Sequence, residues 1–152
     1  MELMMMSITM NEKSMMKELL PLLTESEKYV SVSWATLSRT TPKLYAFILG
    51  DAPSTTGNLN NYCYVGITKS FLNIVLLNPL DVTRVTGKFH IPLTQIKNIA
   101  IKNNFLRCTI TFFFENENFT MSWLNGSGGT GIKAQKQYIQ RMIKFLSKYY
   151  SI

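Results

Sequence analysis

The stretch QIKNIAIKNNFLRCTITFFFENENFTMSWL, residues 95–124, decides how this chain folds. Asn103-Asn104 reads as a two-residue hairpin loop, because Asn tolerates the positive φ that such loops require. Ile101 then faces Leu106, and Ile99 faces Cys108. The cluster Glu115-Asn116-Glu117-Asn118 reads as the next turn. It sets Phe114 against Phe119, Phe112 against Met121 and Ile110 against Trp123. One row of the middle strand, Leu106, Cys108, Ile110, Phe112 and Phe114, thus serves both neighbours. A slip of one residue would bring Arg107, Thr109 and Thr111 into that row and polar groups inside. Three consecutive antiparallel strands with a shared inward face follow.

Beyond this block the spacing changes. Over residues 132–149, Ile139, Met142, Ile143, Leu146 and Tyr149 recur at three and four residues and form one helical stripe. Lys133, Lys136, Arg141, Lys144 and Lys148 fall on the other side. The stripe is expected to close the core across the open edge of the sheet.

Upstream, residues 11–20 read as a short helix with Met15, Met16, Leu19 and Leu20 on one side, limited by Pro21. Val30, Val32 and Trp34 alternate with Ser31, Ser33 and Ala35 in a strand that ends near Arg39. Thr40-Thr41-Pro42 turns the chain, and residues 44–49 are expected to return as a strand. Residues 51–61, rich in Pro, Ser, Thr, Gly and Asn, form a long loop expected to be mobile. Residues 62–67 and 71–77 make two strands around Thr68-Lys69-Ser70. Residues 84–93, interrupted by Gly87 and Pro92, suit a short or edge strand.

The chain has 152 residues and a 46% hydrophobic share, enough for one domain with a proper core. Residues 1–10 are expected to be a disordered tail and 11–152 the single domain. The net charge of +7 is uneven: five basic and no acidic residues follow Glu117. Such a balance suits anionic neighbours, or simply a solvated surface. Cys63 and Cys108 fall inside strands and suit buried free thiols in a reducing cytoplasm better than a disulfide scaffold. No stretch reaches the roughly 18 apolar residues of a spanning helix.

Taken together, the order helix, seven or eight meandering strands, helix resembles the pleckstrin-homology-like (PH-like) barrel, in particular the small bacterial YokE-like PH domains. Three segments carry the likeness: Glu25-Ser26-Glu27-Lys28 leading into the first strand, 64–72 (YVGITKSFL) as a strand–turn–strand element, and 91–96 (IPLTQI) as the step into the final strands. With the last hairpins and helix it covers residues 12–149. The resemblance implies a mainly β fold of two near-orthogonal sheets, capped at one corner by the C-terminal helix. Relative to phosphoinositide-binding PH domains, Lys28 and Arg39 match two basic positions, Thr41 stands where a final Arg belongs, and Lys43 is displaced. The usual Trp of the closing helix is absent.

Chemical motifs are few. Residues 126–133 (GSGGTGIK) follow a strand and open a helix, but Ile132 occupies the position of a phosphate-loop lysine and Ala134 cannot supply the metal-binding hydroxyl. A flexible joint is the better reading. His90 is the sole histidine, so a metal centre lacks ligands and a general base lacks an orienting partner. A structural hydrogen bond suits it better. Glu115, Glu117 and Asp81 sit on wet turns, unlike the buried carboxylates of glycosidases.

These features exclude no binding role and favour no enzyme, cofactor or metal. The leading expectation is a non-enzymatic binding and assembly module, contacting a protein partner or a second copy through Phe105, Arg107 and Phe113 on the outer face. The alternative is peripheral binding to anionic membrane lipids through Arg39, Lys43 and Lys69, whose turns would share the open end of a PH-like barrel. Nucleic-acid binding ranks last, since no reading motif accompanies the charge.

Overall fold

The computed structural model describes residues 10–50 and 61–152; the expectations for the rest of the Met-rich start and for loop 51–60 lie outside those residues. In order come helix α1 (Glu12–Leu19), a 3₁₀ turn (Leu20–Leu22), strand β1 (Ser31–Arg39), a 3₁₀ helix (Pro42–Phe47), β2 (Asn61–Ile67), β3 (Phe71–Leu77), β4 (Val85–Pro92), a 3₁₀ turn (Leu93–Gln95), β5 (Asn98–Asn103), β6 (Arg107–Phe113), β7 (Asn118–Leu124) and helix α2 (Gln135–Tyr149). All strand pairs are antiparallel, and the sheet order is β4-β3-β2-β1-β7-β6-β5. The sheet is not closed by hydrogen bonds between β4 and β5.

Its inner rows nevertheless share one core. Leu37, Val65, Ile74, Phe89, Ile99, Ile110 and Met121, one from each strand, belong to a single buried cluster with Ile139, Met142 and Leu146 of α2. The Tyr150 hydroxyl donates to the Leu93 carbonyl at 2.8 Å, tying the helix end to the β4–β5 connection. The expected apolar stripe faces the core through Ile139, Met142 and Leu146, with Ile143 partly buried, whereas Tyr149 at its end is exposed; α2 begins three residues later than the periodicity suggests.

A second cluster covers the outer face of β1–β3. Met15 and Leu19 of α1 pack on Val32, Trp34, Tyr64, Val75 and Leu77, so β1 is buried on both faces. Asn11 caps α1 by accepting from the Ser14 amide at 2.9 Å. Met10 is itself fully buried, and its carbonyl accepts from Gly131 at 2.7 Å.

Two expectations need correction. Residues 44–49 are not a strand: Pro42 starts a 3₁₀ helix, a position that its fixed φ favours. Leu44 is buried, and only Ile48 bridges to Phe89 of β4. Secondly, the hairpin registers are displaced. Ile101 pairs with Ile110 and Ile99 with Phe112, four residues beyond the expected partners. Phe112 pairs with Phe119 and Ile110 with Met121, a shift of two. Both shifts are even, so the inward row is preserved and Cys108, Ile110 and Phe112 are fully buried. Leu106 alone changes side: it leaves the row for the turn and is 63% exposed.

The glycine-rich joint forms a turn that touches Trp34 at one glycine. Gly128 has φ +58, and an added Cβ would lie 2.7 Å from the Trp34 ring. Thr130 closes the turn through its amide and hydroxyl to the Ser127 carbonyl, at 3.0 and 2.6 Å.

Cys63 and Cys108 are free, fully buried thiols on different strands, as the sequence led us to expect. Burial pushes both pKa values up, that of Cys108 to about 11. Native protein should therefore react with maleimide only as fast as it unfolds, and both thiols should label at once in denaturant. Rapid labelling of native protein would contradict this burial.

Candidate functional site

The missing strand rearranges the basic residues. Because residues 44–49 do not return as a strand, the Lys69 turn falls at the end of β1 opposite Arg39: Ser31 pairs with Ile67, and Leu37 with Asn61. Arg39 and Lys43 remain neighbours in sequence, but Lys69 does not join them. At the Arg39 end, the Glu117 carboxylate accepts from the Thr41 hydroxyl and from the Lys43 amide at 3.3 Å. The Lys43 ammonium lies 5.8 Å from the centre of the Phe47 ring. A three-cation rim is not formed.

Lys69 instead borders a cleft of about 360 Å³ lined also by Glu27, Lys28, Tyr29 and Thr68. Glu27 turns inward there, accepting from the Thr24 amide at 2.9 Å and the Thr68 hydroxyl at 3.1 Å. Its pKa is held below the ordinary carboxylate value, chiefly by the Thr24 hydroxyl and against partial burial.

Beside this cleft, Asn73 and His90 are paired across β3 and β4, and Gly66 of β2 completes the row. A Cβ on Gly66 would overlap the Tyr29 ring at 2.3 Å, so glycine lets the ring lie over the strand. Tyr29 donates to the Leu19 carbonyl, Asn73 Nδ2 donates to Tyr29 Oη at 3.2 Å, and Asn73 Oδ1 is 2.6 Å from His90 Nδ1. This chain of donors places the neutral ring's proton on Nδ1. The His90 ring stacks on Phe71 with centroids 3.8 Å apart. Partial burial lowers its pKa, against the pull of Glu27. His90 thus makes the expected structural hydrogen bond. No group of three or more metal-ligating side chains occurs among the described residues.

The aromatic outer face is also divided. Phe113 is half-buried at the far end of β6, opposite Asn98 and Asn118. Between it and Arg107 the surface is hydroxyl-lined: Thr111 meets Thr120 at 3.2 Å, and Thr109 meets Ser122 at 3.3 Å. Phe105 and Arg107 do come together, in the β5–β6 turn, where Leu106 joins them.

That turn is the most distinctive surface. Residues 102–107 are all exposed. Phe105 is 86% and Leu106 63% exposed, and among the described residues no other adjacent pair of large apolar side chains is more than half exposed. The backbone beneath them is tied down. Asn104 Oδ1 accepts from the Leu106 and Arg107 amides at 2.9 Å each, and the Asn104 amide donates to the Arg107 carbonyl at 3.0 Å. From β7's end, the Asn125 amide donates to the Leu106 carbonyl at 2.9 Å, and its side chain donates to the Asn104 carbonyl. A groove of about 360 Å³ separates Phe105 from α2, with Asn103, Lys136, Gln140 and Ile143 among its walls. Lys102 of β5 and Arg107 of β6 are exposed close to the tip in sequence, and Lys136 of α2 lines the groove; no acidic residue lines it.

Sequence reasoning found Phe105 and Arg107 but put Leu106 in the core. The signal it lacked was Asn125, whose contact with the turn depends on a neighbouring strand.

No family model matches the chain, and no curated protein does. Among solved structures, the hSac2 domain from human phosphoinositide phosphatase Sac2 is similar, with a TM-score of 0.49 and 13% identity over 91% of this chain and 85% of that one. Likeness at this level assigns neither family nor activity. No helix of the described residues is long and apolar enough to cross a membrane.

Proposed function

We propose that this chain is a non-enzymatic binding module built on a PH-like barrel, and that its working surface is the β5–β6 hairpin tip. One observation carries the reading: two adjacent large apolar side chains are held in solvent by a turn in which Asn104 and Asn125 engage the backbone on either side of Phe105. Exposed apolar side chains on a fixed support mark contact surfaces, because ordering costs are met before the partner arrives. A cytoplasmic setting, suggested by the two free thiols, belongs to the same proposal.

Placing a photoreactive benzophenone side chain at position 105 tests the reading in cells. Covalent adducts, to protein or to lipid, are expected at 105 and not at position 84 on the β3–β4 turn. Adducts no more abundant at 105 than at 84 would contradict it.

Self-association is the second reading, favoured because β5 lies at an end of the sheet. Lys97 and Lys102 oppose it, as edge cations blunt strand-to-strand pairing. Light scattering at high concentration should show a 17.4 kDa monomer; a dimer would favour the edge instead.

A further inference from the structure

The chemistry around the tip narrows the partner. Phe105 and Leu106 project from the apex of a hairpin, so their surface is convex. A protein partner would need a matching hollow, whereas the acyl region of a bilayer accepts a protruding apolar side chain of any shape. Much of the backbone there is already satisfied: the Asn104 and Leu106 carbonyls and the Asn104, Leu106 and Arg107 amides have partners within the protein, which leaves the Phe105 amide and carbonyl to water or headgroups. The internal hydrogen bonds need not be broken when water is left behind.

Charge points the same way. Lys102 and Arg107 are exposed in the same hairpin as the apolar pair, and the groove that Phe105 borders is lined by asparagines, Gln140, Lys136, Ile139 and Ile143 without a carboxylate. The polar side chains among these are donors for phosphate oxygens at the depth of lipid headgroups. A second copy of the chain would offer the same cations and carries the same net charge of +7, so it lacks complementarity.

We propose that the hairpin tip docks on anionic lipid surfaces, with Phe105 and Leu106 entering the acyl boundary and Lys102, Arg107 and Lys136 holding headgroup phosphates. The proposal rests on the reading of the tip as the working surface and assigns its partner. It differs from a rim of Arg39, Lys43 and Lys69, which the fold does not assemble.

Sedimentation with vesicles tests it, using phosphatidylcholine alone and equimolar phosphatidylcholine–phosphatidylglycerol. The full chain should sediment with the anionic vesicles only, and less so as salt rises. Phe105→Ser/Leu106→Ser and Lys102→Glu/Arg107→Glu should each weaken binding by about tenfold or more. Lys13→Glu/Lys17→Glu, the same charge change on α1, should leave most of it. Circular dichroism confirms that each variant is folded. Absence of binding, equal binding to neutral vesicles, or full binding by the serine variant overturns the proposal. Protein adducts at position 105 without vesicle binding would sink the lipid assignment and leave the working surface standing; absence of adducts at 105 removes both.

Discussion

Replacing Gln135 with alanine is expected to destabilise the protein by about 2–6 kcal/mol, since it orphans two buried backbone groups that cost about 1–3 kcal/mol each. β1 pairs with β7 only around Thr36 to Arg39. Further back along β1 the sheet has no strand on that side, and α2 stands in. Gln135 is fully buried; its Oε1 accepts from the Trp34 amide at 3.1 Å, and its Nε2 donates to the Trp34 carbonyl at 2.7 Å. One side-chain amide thus replaces a neighbouring strand's peptide group. Two further contacts follow the same line: Ser31 Oγ donates to the Tyr138 carbonyl at 2.5 Å, and Trp123 Nε1 donates to Ser33 Oγ at 2.8 Å. Gln135→Glu should be worse than alanine, because it removes the donor and buries a charge. Urea unfolding measures both. A loss below about 0.5 kcal/mol for alanine, the range of ordinary surface changes, would show that α2 docks by its apolar stripe alone.

A second large effect is expected at Phe112. Its side chain is fully buried and stacked on Phe119, with centroids 4.8 Å apart. Phe112→Ala should cost about 3–5 kcal/mol, the range for removing a core aromatic. Phe113, one residue on, points to the outer face and is only half-buried. Its alanine variant should cost less than about 1 kcal/mol. The contrast between adjacent residues reads the facing of β6 directly in urea titrations; equal losses would mean that the strand has no single inward row.

These cases show what was legible in the sequence. Facing in the last three strands was readable because the period of a strand is two, and both register errors were even. The exact pairing was not, because the turn at Asn104 is held by Asn125 from another strand. Residues 44–49 are a continuous apolar run of strand length, yet Pro42 and the burial of Leu44 drew residues 42–47 into a 3₁₀ helix. That single change of topology separated Lys69 from Arg39. Gln135 was invisible as a core residue, since a polar side chain at a helix start ordinarily reads as solvated. Its role depends on where β7 stops. The candidate site was half legible: Phe105 and Arg107 were singled out, while Leu106 and Lys136 joined them only through the fold.

The proposed contact role requires that the Phe105 and Leu106 side chains add little to the fold. Urea unfolding of Phe105→Ser/Leu106→Ser tests that most directly. With both side chains mostly in solvent, its unfolding free energy should match the parent within about 0.5 kcal/mol. A loss of about 2 kcal/mol or more, the size expected for emptying a core position, would place Leu106 back in the interior and contradict the account.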